Sequence, residues 1–167
     1  DKGYTFGTKQ ISEEIQLSGE TGNLNYIFGG FISKDEVRNR IPLSITPDLG
    51  SAFLGPYDFT ISYKSKAFYG QASLAVTDRL NLTAGARYTW EDVSILQAAD
   101  SLLSVLNPGV RSRSDANPSW IATVDYKITD DLLLYFNHRG SWRTGGFNGT
   151  SAASFPNAAT FKPETTY

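Results

Sequence analysis

The sequence predicts an all-β fold, an antiparallel transmembrane β-barrel present in part, and three observations carry that reading. Long segments alternate apolar and polar residues with period two. Several reach the roughly 9 to 11 residues that a tilted strand needs to cross a bilayer, against about 5 to 6 in a typical soluble strand. The connections alternate strictly between short and long. In an up-and-down sheet that sets every short turn at one edge and every long loop at the other.

Thr8 to Ser18 opens the series, with Ile11, Ile15 and Leu17 sharing one parity with Lys9 and Glu13, and Gln10, Ser12, Glu14 and Gln16 on the other. Gly19-Glu20-Thr21-Gly22-Asn23 supplies the residues of a short hairpin turn. Leu24 to Lys34 follows, with Leu24, Tyr26, Phe28, Gly30 and Ile32 opposite Asn25, Ile27, Gly29, Phe31 and Ser33. Asp35 to Ser62 contains Pro42, Pro47 and Pro56 and holds no period, so it reads as a long connection.

Tyr63 to Thr77 is extended again, with Phe68, Gly70, Ala72, Leu74 and Val76 in one parity, and Thr77-Asp78-Arg79 is a minimal turn. From Leu80 the alternation is clean: Leu80, Leu82, Ala84, Ala86, Tyr88 and Trp90 oppose Asn81, Thr83, Gly85, Arg87, Thr89 and Glu91. Ser94 to Leu106 spaces Ile95, Ala98, Ala99, Leu102, Leu103 and Leu106 as a short helix ended by Asn107-Pro108-Gly109, with collapsed loop as the alternative. The polar run Arg111 to Asp115 reads as part of that long connection. Trp120, Ala122, Val124, Tyr126 and Ile128 then alternate with polar partners up to a tight turn at Thr129-Asp130-Asp131. Leu132 to Arg143 is the sixth strand, a Gly, Ser, Asn and Ala-rich loop runs from Thr144 to Thr160, and Thr165-Thr166-Tyr167 after Pro163 looks like the start of a seventh.

Composition narrows the chemistry. The 167 residues include no Cys and a single His, His138, so disulfides, thiolate catalysis and a His-based metal centre are not expected. Fifteen Lys and Arg against seventeen Asp and Glu leave a net charge of -2, which gives no reason to expect a nucleic-acid partner. No stretch approaches the roughly 18 apolar residues of a membrane helix. A mean hydropathy of -0.28 still suits a barrel, whose lipid-facing residues occupy every second position. Tyr88, Trp90, Trp120 and Trp142 lie toward the long-loop side of the apolar parity, as in an interfacial aromatic belt, and the opposite parity is polar enough to need a wet or plugged lumen or a solvent face.

Four stretches are familiar as wording: Gln10 to Ser18, Leu80 to Thr89, Tyr135 to Asn148 with its Gly145-Gly146-Phe147-Asn148, and Phe161 to Thr166. In content, order and spacing the chain resembles the barrel portion of TonB-dependent outer-membrane receptors. The resemblance implies a bacterial outer-membrane barrel of about 22 strands, of which this chain would be six strands plus the start of a seventh. It also implies an N-terminal plug domain inside the barrel and energy coupling to the TonB complex through a short box. Neither plug nor box is expected within residues 1–167. The implied partners are outer-membrane lipid, the plug, the remaining strands, TonB, and chelated iron or another small ligand, with an iron-siderophore complex foremost and no cofactor or catalysis.

Ligand contacts are expected among Phe53, Tyr57, Arg111, Arg113, Trp142, Arg143, Phe147 and Asn148, on the long-loop side, because binding residues concentrate on loops. Arg87, Glu91 and Arg139 project from the polar parity toward a lumen or plug, where pairing between strands is the plainer role. Lys64 and Lys66, at the loop end of their strand, suit anionic headgroups or a plain soluble surface. The pairs Glu13-Glu14, Glu91-Asp92 and Asp130-Asp131 do not converge on one substrate, since strand neighbours point to opposite faces. Two other functions share the alternation. One is a smaller barrel acting as porin or adhesin, and the other is a soluble carbohydrate-binding β-sandwich that stacks sugars on Trp90, Trp120 and Trp142.

Overall fold

The computed structural model describes residues 5–41, 44–46, 52–54, 57–97, 109–148 and 160–167. The chain runs β1 (Thr5–Thr21), β2 (Leu24–Ile41), β3 (Ser44–Thr46), β4 (Ala52–Leu54), β5 (Tyr57–Ala75), β6 (Leu80–Gln97), β7 (Gly109–Thr129), β8 (Leu132–Arg143), β9 (Gly146–Phe147), β10 (Thr160–Phe161) and β11 (Glu164–Thr166). Seven of these form one antiparallel sheet in the order β1-β2-β5-β6-β7-β8-β11, and β3-β4 and β9-β10 are two small hairpins. The sheet is open, with β1 and β11 at its edges. Six long strands and the beginning of a seventh are therefore present, as the alternation requires.

The short turns share one edge. Gly22 and Asn23 alone link β1 to β2, and Gly22 takes φ 61°, a conformation that glycine adopts without a Cβ clash. Between β5 and β6 the Thr77 hydroxyl accepts the N–H groups of Arg79 at 3.2 Å and Leu80 at 3.0 Å. The turns are also tied to one another: the Asn23 amide donates to the Ala75 carbonyl at 2.6 Å, and the Lys127 N–H donates to the Arg79 carbonyl at 2.8 Å. Asp130-Asp131 closes β7 onto β8, with a register shift between Lys127 and Thr129.

On the other edge the strands run further than the alternation suggests. Asp35–Ile41 extends β2 and Tyr57–Ser62 belongs to β5, so the connection expected over Asp35 to Ser62 is mostly paired strand with a β3-β4 hairpin. The helix expected from Ser94 is not formed where it is described: Ser94–Gln97 pairs with β5 and β7, and residues 98–108 lie outside the described residues. Arg111 and Arg113 stand on β7 rather than in a loop. Ladder pairing with two neighbours outweighs the weak helical spacing, because Ile95 already has a strand-compatible partner row in Ile61 and Arg111.

The register separates the faces. Leu17, Phe28, Gly70, Ala86 and Trp120 form one row across β1, β2, β5, β6 and β7, and Ile15, Gly30, Phe68, Tyr88 and Pro118 form the next row on the same face. On β6 the odd positions Thr83, Gly85, Arg87 and Thr89 are more shielded than Leu82, Ala84, Ala86, Tyr88 and Trp90. A curved sheet shields its concave side, so the polar parity faces inward and the apolar parity outward. The outward face leaves Leu17 at 67%, Phe68 at 68% and Phe136 at 67% exposure, an apolar expanse that water does not tolerate but hydrocarbon does. This band runs from Leu80 to Trp90 on β6 and from Ala116 to Ile128 on β7.

At its long-connection end Trp90 tilts against Tyr88 with ring centroids 4.7 Å apart and meets Phe68 edge-on at 6.2 Å. Trp120 lies 5.7 Å from Tyr167 and 6.4 Å from the His138 ring. Aromatic residues also sit directly across from glycines. Tyr69 covers Gly29 and Trp120 covers Gly140 so closely that neither glycine has room for a Cβ. These pairs fix register by shape, in addition to the hydrogen-bond ladder.

Candidate functional site

Beyond the aromatic belt, the inward face of β5 and β6 builds a small apolar cluster. Phe59 and Ile61 on β5 and Val93 and Ile95 on β6 are buried, with Tyr63 packed beside them. The chain supplies the lid itself: after β8 it turns inward, and Phe147 on β9 enters the cluster at 7% exposure. Gly145 and Gly146 make the approach possible. A Cβ on Gly145 would lie 2.6 Å from the Phe161 carbonyl and 2.7 Å from Arg113 Nε, and one on Gly146 would lie 2.6 Å from the Phe161 ring.

The Asp115 carboxylate gathers this corner. Asp115 Oδ2 accepts from Arg113 Nε at 2.6 Å, from the Thr144 hydroxyl at 3.1 Å and from the Gly145 N–H at 3.3 Å, while Oδ1 accepts from Arg113 Nη2 at 2.9 Å. These bonds favour the ionised form, and Arg113 foremost holds the Asp115 carboxyl below the usual carboxylate range. Arg111, two residues further out, lays its guanidinium 5.6 Å from the Phe147 ring centroid. Its Nε is buried and has no hydrogen-bond partner among the described residues.

Level with the apolar band, Arg87 lies over two aromatic rings, 5.3 Å from Phe31 and 5.8 Å from Tyr69, and its Nε donates to the Thr89 hydroxyl at 3.1 Å. Tyr69 in turn donates to Glu14 at 2.6 Å. Two hollows meet at Arg87. One, of about 400 Å³, is bordered by Phe31, Asp35, Tyr63, Arg87 and Glu91; the other, of about 360 Å³, by Tyr69, Gln71, Arg87, Ile121 and Arg139. Cations held over aromatic faces beside polar hollows suit an anionic or aromatic ligand, or an acidic protein surface.

The expected site residues fall into three groups. Arg87, Glu91 and Arg139 share the inward face, with Glu91 directly opposite Asp115. Arg111, Arg113 and Phe147 come together in the inward-turned corner. Trp142 and Arg143 lie at the β8-β11 junction, where Arg143 pairs with Glu164 at 3.1 Å, and Asn148 is exposed at the end of β9. Phe53 lies on β4 opposite Ile45 and Tyr57 opens β5 opposite Ile41, and their side chains fall outside the described residues. Phe31, Tyr69, Asp115 and Thr144 were not singled out by sequence reasoning. One of them carried a readable signal, since Tyr69 is an aromatic residue on a parity shared with Gln71 and Ser73, whereas Phe31 shares its parity with Ile27 and Gly29. Among the described residues no group of His, Asp and Glu is placed to hold a metal ion.

The fold has solved relatives. The ferric yersiniabactin uptake receptor FyuA from Yersinia pestis superposes with a TM-score of 0.68 at 14% identity, over 97% of this chain and 24% of its own. The present chain thus spans about a quarter of that receptor's length. No curated protein matches it in sequence. The family model described as TonB dependent receptor-like, beta-barrel, matches residues 2–167. With its open antiparallel sheet, apolar outward band and polar inward face, the chain belongs to the TonB-dependent receptor β-barrel family.

Proposed function

We propose that these residues form a sector of the wall of an outer-membrane receptor that takes up a scarce extracellular ligand, and that the ligand is a chelated iron complex of siderophore type. The family and the fold support a receptor or transporter role, since the family is one of outer-membrane receptors rather than enzymes. The observation that carries the ligand reading is the inward face itself. Arg87, Arg111, Arg113 and Arg139 stand there with Phe31, Tyr69 and Phe147, a combination that accepts an anionic, ring-bearing chelate better than a neutral sugar. FyuA, a ferric yersiniabactin uptake receptor, shares the fold at an identity too low to transfer its ligand.

In this reading the inward-turned Phe147 corner narrows the outer mouth, the hollows around Arg87 lie below it, and a plug domain and TonB provide the gate and the energy. The chemistry is capture and translocation without a covalent step. A smaller porin or adhesin and a soluble sugar-binding sandwich both give way to the family assignment.

The test uses the complete receptor in cells starved of iron. A panel of ferric siderophores, haem, cobalamin and oligosaccharides is offered, and uptake is followed with and without a protonophore. Energy-dependent uptake of a ferric siderophore, reduced by Arg87→Ala or Arg139→Ala at unchanged receptor abundance, is expected. Uptake of a neutral oligosaccharide alone overturns the ligand assignment, and energy-independent passage of all of them overturns the receptor reading.

A further inference from the structure

Two buried polar atoms of the inward-turned corner have no partner among the described residues, the acceptor Gln97 Oε1 and the donor Arg111 Nε. Gln97 is 6% exposed and lies directly opposite Phe59, while Arg111 lies opposite Ile95. The two are therefore diagonal neighbours in the β6-β7 ladder, about 7 to 8 Å apart at the backbone, a span that two long side chains close around a third group. Beside them the Phe147 ring is buried among Phe59, Ile61, Val93 and Ile95, with the Arg111 guanidinium over its face. A socket for an aromatic ring is thus rimmed by one donor and one acceptor that the ring now in it does not serve.

No carboxylate of the wall supplies what is missing. Both oxygens of Asp115 are engaged by Arg113, and one of them also by Thr144 and the Gly145 N–H. Asp58 lies on the outward parity with Arg38 and Arg40. Asp35 stands in the row of Tyr63, Val93 and Arg113, and Glu91 in the row of Asp115. Arg111 has no ion pair among the described residues. Buried donors and acceptors are paired in all but a few cases, so two orphans at one socket point to a group that the free chain does not carry.

We propose that Phe147 stands in for a phenolic ring of the ligand, which displaces it from this socket and sets its hydroxyl between Arg111 Nε and Gln97 Oε1. The hydrogen-bond count selects a phenol. A neutral phenol accepts one bond and donates another, whereas a carboxylate only accepts and a bare phenyl does neither. The ring itself inherits the apolar walls and the guanidinium that Phe147 now holds. Because its oxygen keeps the proton, this ring lies outside any metal-chelating group of the ligand. Displacement leaves the turn from Thr144 to Phe147 held by the Asp115 bonds alone, so occupancy of the socket and the position of the turn are coupled. The proposal rests on the reading that this face lines a ligand path, and it narrows the ligand to one with a free phenol.

The complete receptor is titrated with N-acetyltyrosine amide and N-acetylphenylalanine amide, which are neutral, soluble and differ by the phenolic hydroxyl alone. In Phe147→Ala the vacated socket is expected to bind the tyrosine amide roughly tenfold more tightly than the phenylalanine amide, and more tightly than the wild type does, whose own ring competes. Asp115→Ala loosens the turn without touching the socket wall and is expected to raise the tyrosine amide's affinity as well, so the comparison survives a misfolded Phe147→Ala. Adding Arg111→Met and Gln97→Leu to either variant is expected to abolish the preference. Equal affinity for the two amides, or a preference that survives loss of both polar groups, overturns the proposal. Tyrosine amide binding no tighter in either variant than in the wild type overturns the displacement. Energy-dependent uptake is followed separately: uptake with equal amide affinities removes the socket alone, and energy-independent passage removes the receptor reading and with it the socket's ligand role.

Discussion

Tyr69 donates its hydroxyl to the Glu14 carboxylate at 2.6 Å although their strands, β5 and β1, are not neighbours. The ring crosses β2 over Gly29, whose missing side chain leaves the path open, and Arg87 on β6 lies over the same ring. Four strands are thereby braced by one phenol, on the face where a lumen would otherwise leave each strand held only by its ladder.

Gly29→Val should displace the Tyr69 ring and cost about 1 to 3 kcal/mol, as other overpacked sites do. Gly7→Val is the control, since a Cβ there meets nothing within 4 Å. Folded fraction of the complete receptor, read by heat-modifiable electrophoretic mobility, checks the difference. Equal folding of the two variants would show that the ring moves aside without loss.

A charge placed by parity should separate the faces. Ala84→Arg puts a guanidinium into the outward band and is expected to cost about 2 to 4 kcal/mol, whereas Thr83→Arg, one residue away and inward, should be nearly neutral. Refolding into lipid vesicles over a urea series measures both. If Thr83→Arg is the costlier one, the faces are assigned the wrong way round.

The Asp115 corner carries a pH dependence of definite sign. Its carboxyl titrates lower in the folded corner than in an unfolded chain, because Arg113 and Thr144 bond the ionised form. Its contribution is therefore complete above the ordinary carboxylate pKa of about 3.9 and is lost as pH falls through the lower, folded value. Amide protection at residues 144–147, corrected for the intrinsic pH dependence of exchange and taken relative to β6, should be full at pH 7 and decline progressively as pH falls below the ordinary carboxylate value of about 3.9. Asp115→Ala should abolish the difference, and protection that persists in Asp115→Ala would show that Phe147 alone holds the corner.

Phe147→Ala removes the ring that completes the inward cluster. Truncation of a buried Phe costs about 3 to 5 kcal/mol in a closed core, and less is expected here because the cluster lies at the mouth of an open wall. Protease sensitivity of the segment after β8 in intact cells should rise, while total receptor stays constant. Unchanged sensitivity would place the ring outside any constriction.

Period two was legible wherever one face meets hydrocarbon, and that is why Leu132 to Arg143 was read at both ends and the start of β6 at Leu80, although β6 runs on to Gln97. It failed beyond the belt. There Lys34, Lys64 and Asp92 take outward places and Val93 and Ile95 inward ones, so the apolar residues change sides and Ser94 onward imitates a helix. Arg111 and Arg113 looked like loop for the same reason, since a strand that is polar on its outward positions has no apolar stripe to betray it. Of the inward aromatics Tyr69 was visible as an exception to a polar parity, and Phe31, beside Ile27 and Gly29, was not. The carboxylate that gathers Thr144 and Gly145 was not visible at all, because a contact across 30 residues leaves no local pattern.

The length of the strands has a consequence for how a solute first meets the protein. β7 has 21 residues, which at about 3.3 Å each and a 45° tilt stands roughly 50 Å high, against an apolar band of about 25 Å. Gly109–Asp115, about a third of that height, continues beyond the apolar band as hydrogen-bonded sheet. On the receptor reading proposed above, this sector of wall presents ladder-held sheet rather than loop to a solute before it reaches the level of the apolar band.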